Sequence, residues 1–543
     1  MFAKRHAFRT PVPFRLIPLV TALALAACGS PDNSALSVAV LGRSGGTSGA
    51  PFDIGESTTL AGQLLRASTT EGLVAFDEKG RVIPALADRW IVTDDGQSYI
   101  FRLRDGDWPS GEPLTAESAK KALQTALDAL DGTPLARDLA GIDEIRTMAG
   151  RVVEIRLGRP MPYLLQLLAQ PELGLAFKNR GAGPMRLERA GSAARLVPID
   201  PASLGLPAVE NWPQRSRRID LRVLDGPAAV EAFNAGEVDI VMGGEIQDFP
   251  LTRSVGILRG TIQLDPVVGL FGLKVMRDKG FLADPANREA LAMAIDREGL
   301  IAPFSLGGWS PTTRLVSPSL DGDLGTIGER WSEQSLDDRR AVAAARVRRW
   351  ASGASGSTGE RAPAPAAPTA AQPPGAAPKQ ATKATRGAAP APVPPAANGP
   401  HLSIWLPAGD GSDTLFGKLA ADFAAIGVHL LRSSDIEAAD LRLVDDVARY
   451  PRAAWFLNRL ACSDGQGLCS TEADTRVKEA TTATTPEERS ALLTEAEAEL
   501  TAANVFIPFG TPIRWSLVRG SVAGFAPNTW GWHPLMPLAW VPR

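Results

Sequence analysis

From Glu71 to Glu117 the chain alternates short apolar runs with turn residues. Tyr99, Phe101 and Leu103 are separated by Ile100 and Arg102, a period of two that predicts a half-buried strand. Asp77-Glu78-Lys79-Gly80 and Asp94-Asp95-Gly96 are turn sequences in which each glycine takes positive φ at little cost. Pro109-Ser110-Gly111 turns the chain into Thr115, the predicted N-cap of a helix with Leu123, Leu127 and Leu130 on one face and Gly132 as its stop. Similar units recur. A strand is predicted from Leu36 to Leu41, and Pro227 opens a helix carrying Val230 and Phe233 that Gly236 ends, ahead of a strand at Val238-Asp239-Ile240-Val241. Asp284 caps a helix with Pro285 at its first position and Leu291 and Ile295 on one side. After a strand from His401 to Leu406, Thr485-Pro486-Glu487-Glu488 reads as a capping box for a helix whose buried stripe is Leu492, Ala496 and Leu500. Val505-Phe506-Ile507-Pro508 is the strand expected next.

Two stretches break this rhythm. Lys4, Arg5, Arg9 and Arg15 precede an apolar run from Leu16 to Ala27 that is too short for a stable transmembrane helix, the pattern of a targeting segment. It ends in Leu25-Ala26-Ala27-Cys28-Gly29, which resembles the lipobox of bacterial lipoproteins. That resemblance implies a signal peptide over 1–27, lipidation of Cys28 and a tether over 28–35; the alternative is an ordinary cleaved signal and a chance cysteine. Gly29 leaves the choice between inner and outer membrane open. The second stretch, 351–400, is Ala/Pro/Gly-rich and holds almost no large apolar residue, so it cannot bury enough surface to offset its ordering entropy. It is expected to be a disordered insertion, with a Pro-rich docking site as the sharper alternative.

The order Glu71-Gly72-Leu73-Val74, Pro84-Ala85-Leu86-Ala87-Asp88-Arg89-Trp90, Asp95-Gly96, Tyr99 to Gly106 and Gly111 to Glu117 resembles the signature of the family 5 extracellular solute-binding proteins, the peptide receptors of ABC importers. Gly181-Ala182-Gly183-Pro184, Ala232 to Asp239 and Arg288 to Glu298 resemble further family segments. The resemblance implies an α/β fold: a two-lobed periplasmic binding protein of class II, large peptide-binding type, with an extra subdomain on the first lobe. Lobe I is expected over 36–66, 180–268 and 505–543, the extra subdomain over 67–179, and lobe II over 269–504, with the crossing near Gly269 to Leu273 and the return at Val505 to Pro508. The family's amine-anchoring carboxylate lies in a segment of pattern "w.aDy.dp..fLn", for which the corresponding stretch is Val444 to Asn458. Asp445 and Asp446 lie near the anchor's place if about three residues are inserted; either binds a ligand ammonium, or both are solvated turn carboxylates. Asn528, Trp530, Trp532 and His533 either line a cleft or pack core.

With 543 residues the chain is long enough for more than one lobe. The formal charge of −3 and scattered arginines give no basic stripe, which argues against a nucleic-acid partner. Beyond Cys28 only Cys462 and Cys469 remain, across a Gly-rich loop, and in an exported protein they read as a disulfide. A redox pair lacks Cys-x-x-Cys spacing, and a metal pair has no histidine nearby in sequence. No catalytic constellation, phosphate loop or metal-ligand cluster is legible, and Asp94-Asp95 before Gly96 reads as a turn. The expectation is therefore a non-enzymatic, lipid-anchored periplasmic monomer without cofactor or metal. It captures a peptide or peptide-like solute through Asp445, Asp446, Trp530 and Trp532 for ABC importer permease subunits. A non-transport lipoprotein acting as sensor or assembly partner is the alternative, and a periplasmic hydrolase has little support.

Overall fold

The computed structural model describes residues 35–42, 59–190, 193–256, 261–320, 327–353 and 399–541. The signal peptide, Cys28, most of the tether and nearly all of the Ala/Pro-rich segment lie outside the described residues. Two mixed sheets organise the rest. The first has seven strands, in spatial order Met185–Ala190, Ala193–Pro198, Ile219–Leu224, Leu36–Leu41, Ile240–Gly244, Arg514–Val518 and Ile262–Asp265. Leu36–Leu41 lies between parallel neighbours, so both its faces are covered, and Leu36, Val38, Ala39 and Val40 are all buried. The second has five strands, in order His429–Arg432, His401–Trp405, Leu441–Val447, Gly269–Val275 and Phe506–Gly510. Each sheet carries its own apolar cluster, one around Val38, Ile219 and Leu535 and the other around Phe271, Leu291 and Phe423.

The chain passes between the two sheets twice, from Ile262–Asp265 into Gly269–Val275 and from Phe506–Gly510 into Arg514–Val518. This is the two-lobed arrangement. It corrects the expectation that Val505-Phe506-Ile507-Pro508 returns to the first lobe: Phe506–Gly510 pairs antiparallel with Gly269–Val275 inside the second sheet. The return comes one strand later, at Arg514–Val518, which pairs with Ile240–Gly244 and Ile262–Asp265. A short apolar strand carries no mark of which sheet it will join, because both sheets offer an apolar edge.

The extra subdomain is a four-stranded antiparallel sheet, Ala87–Val92, Ser98–Leu103, Val152–Leu157 and Ile142–Thr147, backed by the helix Ala116–Asp128. Its alternation is as expected, with Tyr99, Phe101 and Leu103 buried and Arg102 exposed. Thr115 caps the helix by accepting from the Ser118 N–H, and Ser118 reciprocates. The signature residues meet at one guanidinium. Arg104, 5% exposed, pairs with Glu71 at 2.9 Å and donates to the carbonyls of Ala85 and Ala182. Arg288 and Arg297, from the later matching segment, likewise donate to backbone carbonyls of Leu282, Ala503, Thr312 and Pro508. These motifs tie strands and loops together.

Candidate functional site

The lobes meet along two sets of polar contacts. Beside the crossings, Arg514 of the first sheet reaches Asp445 of the second, its Nη1 donating to Oδ1 at 2.7 Å and its Nη2 to the Asp445 carbonyl at 2.7 Å. Glu245 stands 3.9 Å from the same guanidinium. Burial pushes the Asp445 carboxyl up, to about 6, against the pull of Arg514, and Glu245 adds to the rise. Farther out, the extra subdomain closes on the second lobe. Asp138 Oδ1 accepts from the Tyr450 hydroxyl and from Asn458 Nδ2, each at 2.8 Å, and the rings of Tyr163 and Tyr450 stack with centroids 4.4 Å apart. Arg449 Nη2 donates to Glu172 Oε1 at 2.8 Å, and Arg137 pairs with Asp464. Burial raises the Asp138 carboxyl although Asn458, Arg459 and Tyr450 pull it down.

Two cavities open along this seam. One of about 230 Å³ is bounded by Asp138, Tyr163, Tyr450, Arg159, Arg489 and Leu493. The other, about 290 Å³, lies where Gly132 and Pro134 of the subdomain face Lys274, Arg442, Asp446 and Arg459.

The site residues expected from sequence are not gathered in one place. Asp445 points toward Arg514, whereas Asp446 is exposed and borders the larger cavity. This split follows from the strand, where consecutive side chains take opposite faces. Trp530 donates its indole N–H to the Gly80 carbonyl at 2.7 Å and lies 6.1 Å from the Phe76 ring, so it fastens the subdomain's first hairpin to the C-terminal loop. Trp532 packs half-buried on the first-lobe core, with its backbone N–H on Asn528 Oδ1. His533 pairs with Asp265 at 3.1 Å. Cys462 and Cys469 are joined in the structure, with Cα atoms 5.1 Å apart. Among the described residues no group of three or more His, Cys, Asp or Glu could hold a metal ion.

Sequence reasoning passed over Arg449. Read backward without a gap from Phe456-Leu457-Asn458, the pattern "w.aDy.dp..fLn" matches Ala448 and Tyr450 and puts Arg449 where the pattern has its carboxylate. Arg449 is held by a carboxylate of the opposite lobe, Glu172, a partner 277 residues away.

Residues 81–346 match the profile of bacterial extracellular solute-binding proteins, family 5 Middle. A probable deoxycholate-binding periplasmic protein of Escherichia coli, YgiS, is 27% identical over 305 residues, or 51% of this chain and 56% of its own length. The oligopeptide-binding protein OppA of Bacillus subtilis is 22% identical over 304 residues, or 49% of this chain and 54% of that protein. The chain thus spans about half the length of these curated relatives. A crystal structure of Haemophilus influenzae OppA in complex with RPPGFSPFR superposes with a TM-score of 0.71, covering 94% of this chain and 99% of that one at 15% identity, a likeness of fold.

Proposed function

Because the chain belongs to the family 5 bacterial extracellular solute-binding proteins, we propose that it captures a peptide or peptide-like solute between its lobes and delivers it to the permease subunits of an ABC importer. The family is periplasmic or extracellular and binds solutes without transforming them. The observation that carries the reading is the pair of adjacent crossings, which forms a hinge about which the subdomain and second lobe close. In this reading Cys28 holds the lipid that keeps the protein at the membrane. Lobe I is built from 36–66, 180–268 and the C-terminal strand from Arg514, with the subdomain over 67–179. Of the two carboxylates, Asp446 has no ion pair among the described residues and is the one available to a ligand ammonium. Asp445 is engaged by Arg514 unless the lobes part. Trp530 and Trp532 support the cleft from behind rather than touching solute.

Binding to the folded state alone raises the melting temperature. Thermal-shift screening of the chain lacking residues 1–28 against di- to pentapeptides is expected to give a shift for at least one peptide class. A shift with another metabolite class, and none with any peptide, overturns the peptide assignment and leaves the fold untouched.

Arg449 favours a second reading. A receptor-type seam already latched by Arg449 and Glu172 suits a sensor or assembly partner that closes without solute. Deleting 351–400 separates the two. Uptake that survives while a co-purifying partner is lost supports the second.

A further inference from the structure

We infer that the cavity between the second-lobe sheet and the residue 132–134 turn is a binding site for a small anion, a carboxylate or phosphate held by Lys274, Arg442 and Arg459. The sheet register puts Lys274 directly opposite Arg442. Like charges across an antiparallel pair repel, with Cβ atoms about 5 Å apart. Lys274 is only 3% exposed, and its ammonium has neither hydrogen bond nor ion pair among the described residues. A mostly buried lysine whose ammonium faces a second cation across the cavity is a cost that a fold does not need for packing, since a methionine fills the same volume.

The neighbouring groups sharpen the sign. Arg442 donates to Gln466 Oε1 at 2.6 Å, and Arg459 lies over the Trp455 ring at 5.2 Å; neither has an ion pair among the described residues. Of the two acids at the cavity, Asp464 is taken by Arg137. The other, Asp446, is exposed and lies two pleats along the strand from Arg442. Three cations therefore face the space against two carboxylates, of which Asp464 is shared with Arg137. Gln466 and Ser463 border it as neutral hydrogen-bonding groups, and about 290 Å³ accommodates a small organic acid or a phosphate with water. Burial, helped by the Arg442 charge and opposed by Asp464 and Asp446, lowers the Lys274 ammonium to about 8, so it is mostly charged at neutral pH. Gly132 and Pro134 belong to the subdomain, so an anion bound here also favours the closed seam. The inference does not depend on transport.

The test is calorimetric titration of the full chain with inorganic phosphate, with succinate and with acetate, at pH 7 and constant ionic strength held by sodium chloride. At least one anion is expected to bind saturably beyond the chloride background. The phosphate arm against the carboxylate arms identifies the source. Lys274→Met and Arg442→Gln are each expected to weaken that binding at least tenfold. Lys274→Met should also melt no lower than the parent chain without ligand, which a lysine kept for stability does not allow. Absence of saturable binding by all three anions, or unchanged affinity in both variants, overturns the proposal. So does collapse of Lys274→Met, which makes the lysine structural. Peptide thermal shifts are read separately, so either conclusion can fail alone.

Discussion

Single side chains set much of this molecule's energetics. Arg104 joins residues from four sequence motifs at one buried point, and removing one partner of such a pair leaves an uncompensated charge. Arg104→Met is expected to strand the Glu71 carboxylate, which burial already pushes up, and to lower stability by about 3–5 kcal/mol, read from the urea midpoint. Lys274 acts in the opposite direction. Its folded-state value of about 8 lies below the ordinary lysine value of 10.5. Between those values the unfolded chain binds a proton that the folded chain does not, so stability rises with pH across that window. Below it the buried ammonium costs about 3 kcal/mol. Lys274→Met should be more stable than the parent at pH 7, with the difference fading above about pH 10; an equal difference at both pH values rejects this account. The packing of Tyr99, Phe101 and Leu103 was legible in sequence because a period of two fixes which side chains face inward. Arg449 was legible only through a gapless reading, and its partner Glu172 was not legible at all.

At the level of elements, capping residues were the most readable signals, because a cap acts within four residues. Thr115, Asp284 and Thr485 each cap the helix assigned to them. The details moved slightly. Glu488 returns its carboxylate to the Thr484 N–H rather than to Thr485, and the buried stripe uses Leu493 in place of Leu492. The helix Pro486–Ala503 packs against Thr471–Thr482 on one side and the seam on another, and that geometry selects which leucine is covered. The loop from Cys462 to Cys469 leads into Thr471–Thr482, and Asp464 within it holds Arg137. Replacing both cysteines by serine is expected to cost about 2–3 kcal/mol in the chain-entropy model, and a reductant should lower the melting temperature of the parent but not of the variant. Equal sensitivity of the two to reductant excludes the bond in solution.

For the whole molecule the decisive question is what holds the seam shut. Asp138 with Tyr450 and Asn458, Arg449 with Glu172, and Arg514 with Asp445 all cross it. Arg449 with Glu172 and Arg514 with Asp445 are both largely buried, so removing one partner of either pair leaves an uncompensated charge. Asp138→Asn combined with Glu172→Gln removes two charges from one side of the seam. Small-angle scattering of the double variant is expected to show a larger radius of gyration with unchanged secondary structure. An unchanged radius means that apolar contact alone keeps the lobes together.

The sequence by itself determined the local pieces, the two-lobed class and the family, since each depends on residues close together or on an ordered series of short motifs. Only the tertiary structure decided which sheet received Phe506–Gly510, that Asp445 faces Arg514 while Asp446 faces the cavity, and that Lys274 stands opposite Arg442 in the second sheet. Those outcomes depend on strand register and on partners up to hundreds of residues away. Period and composition constrain each strand's two faces, but not the neighbour that each face will meet.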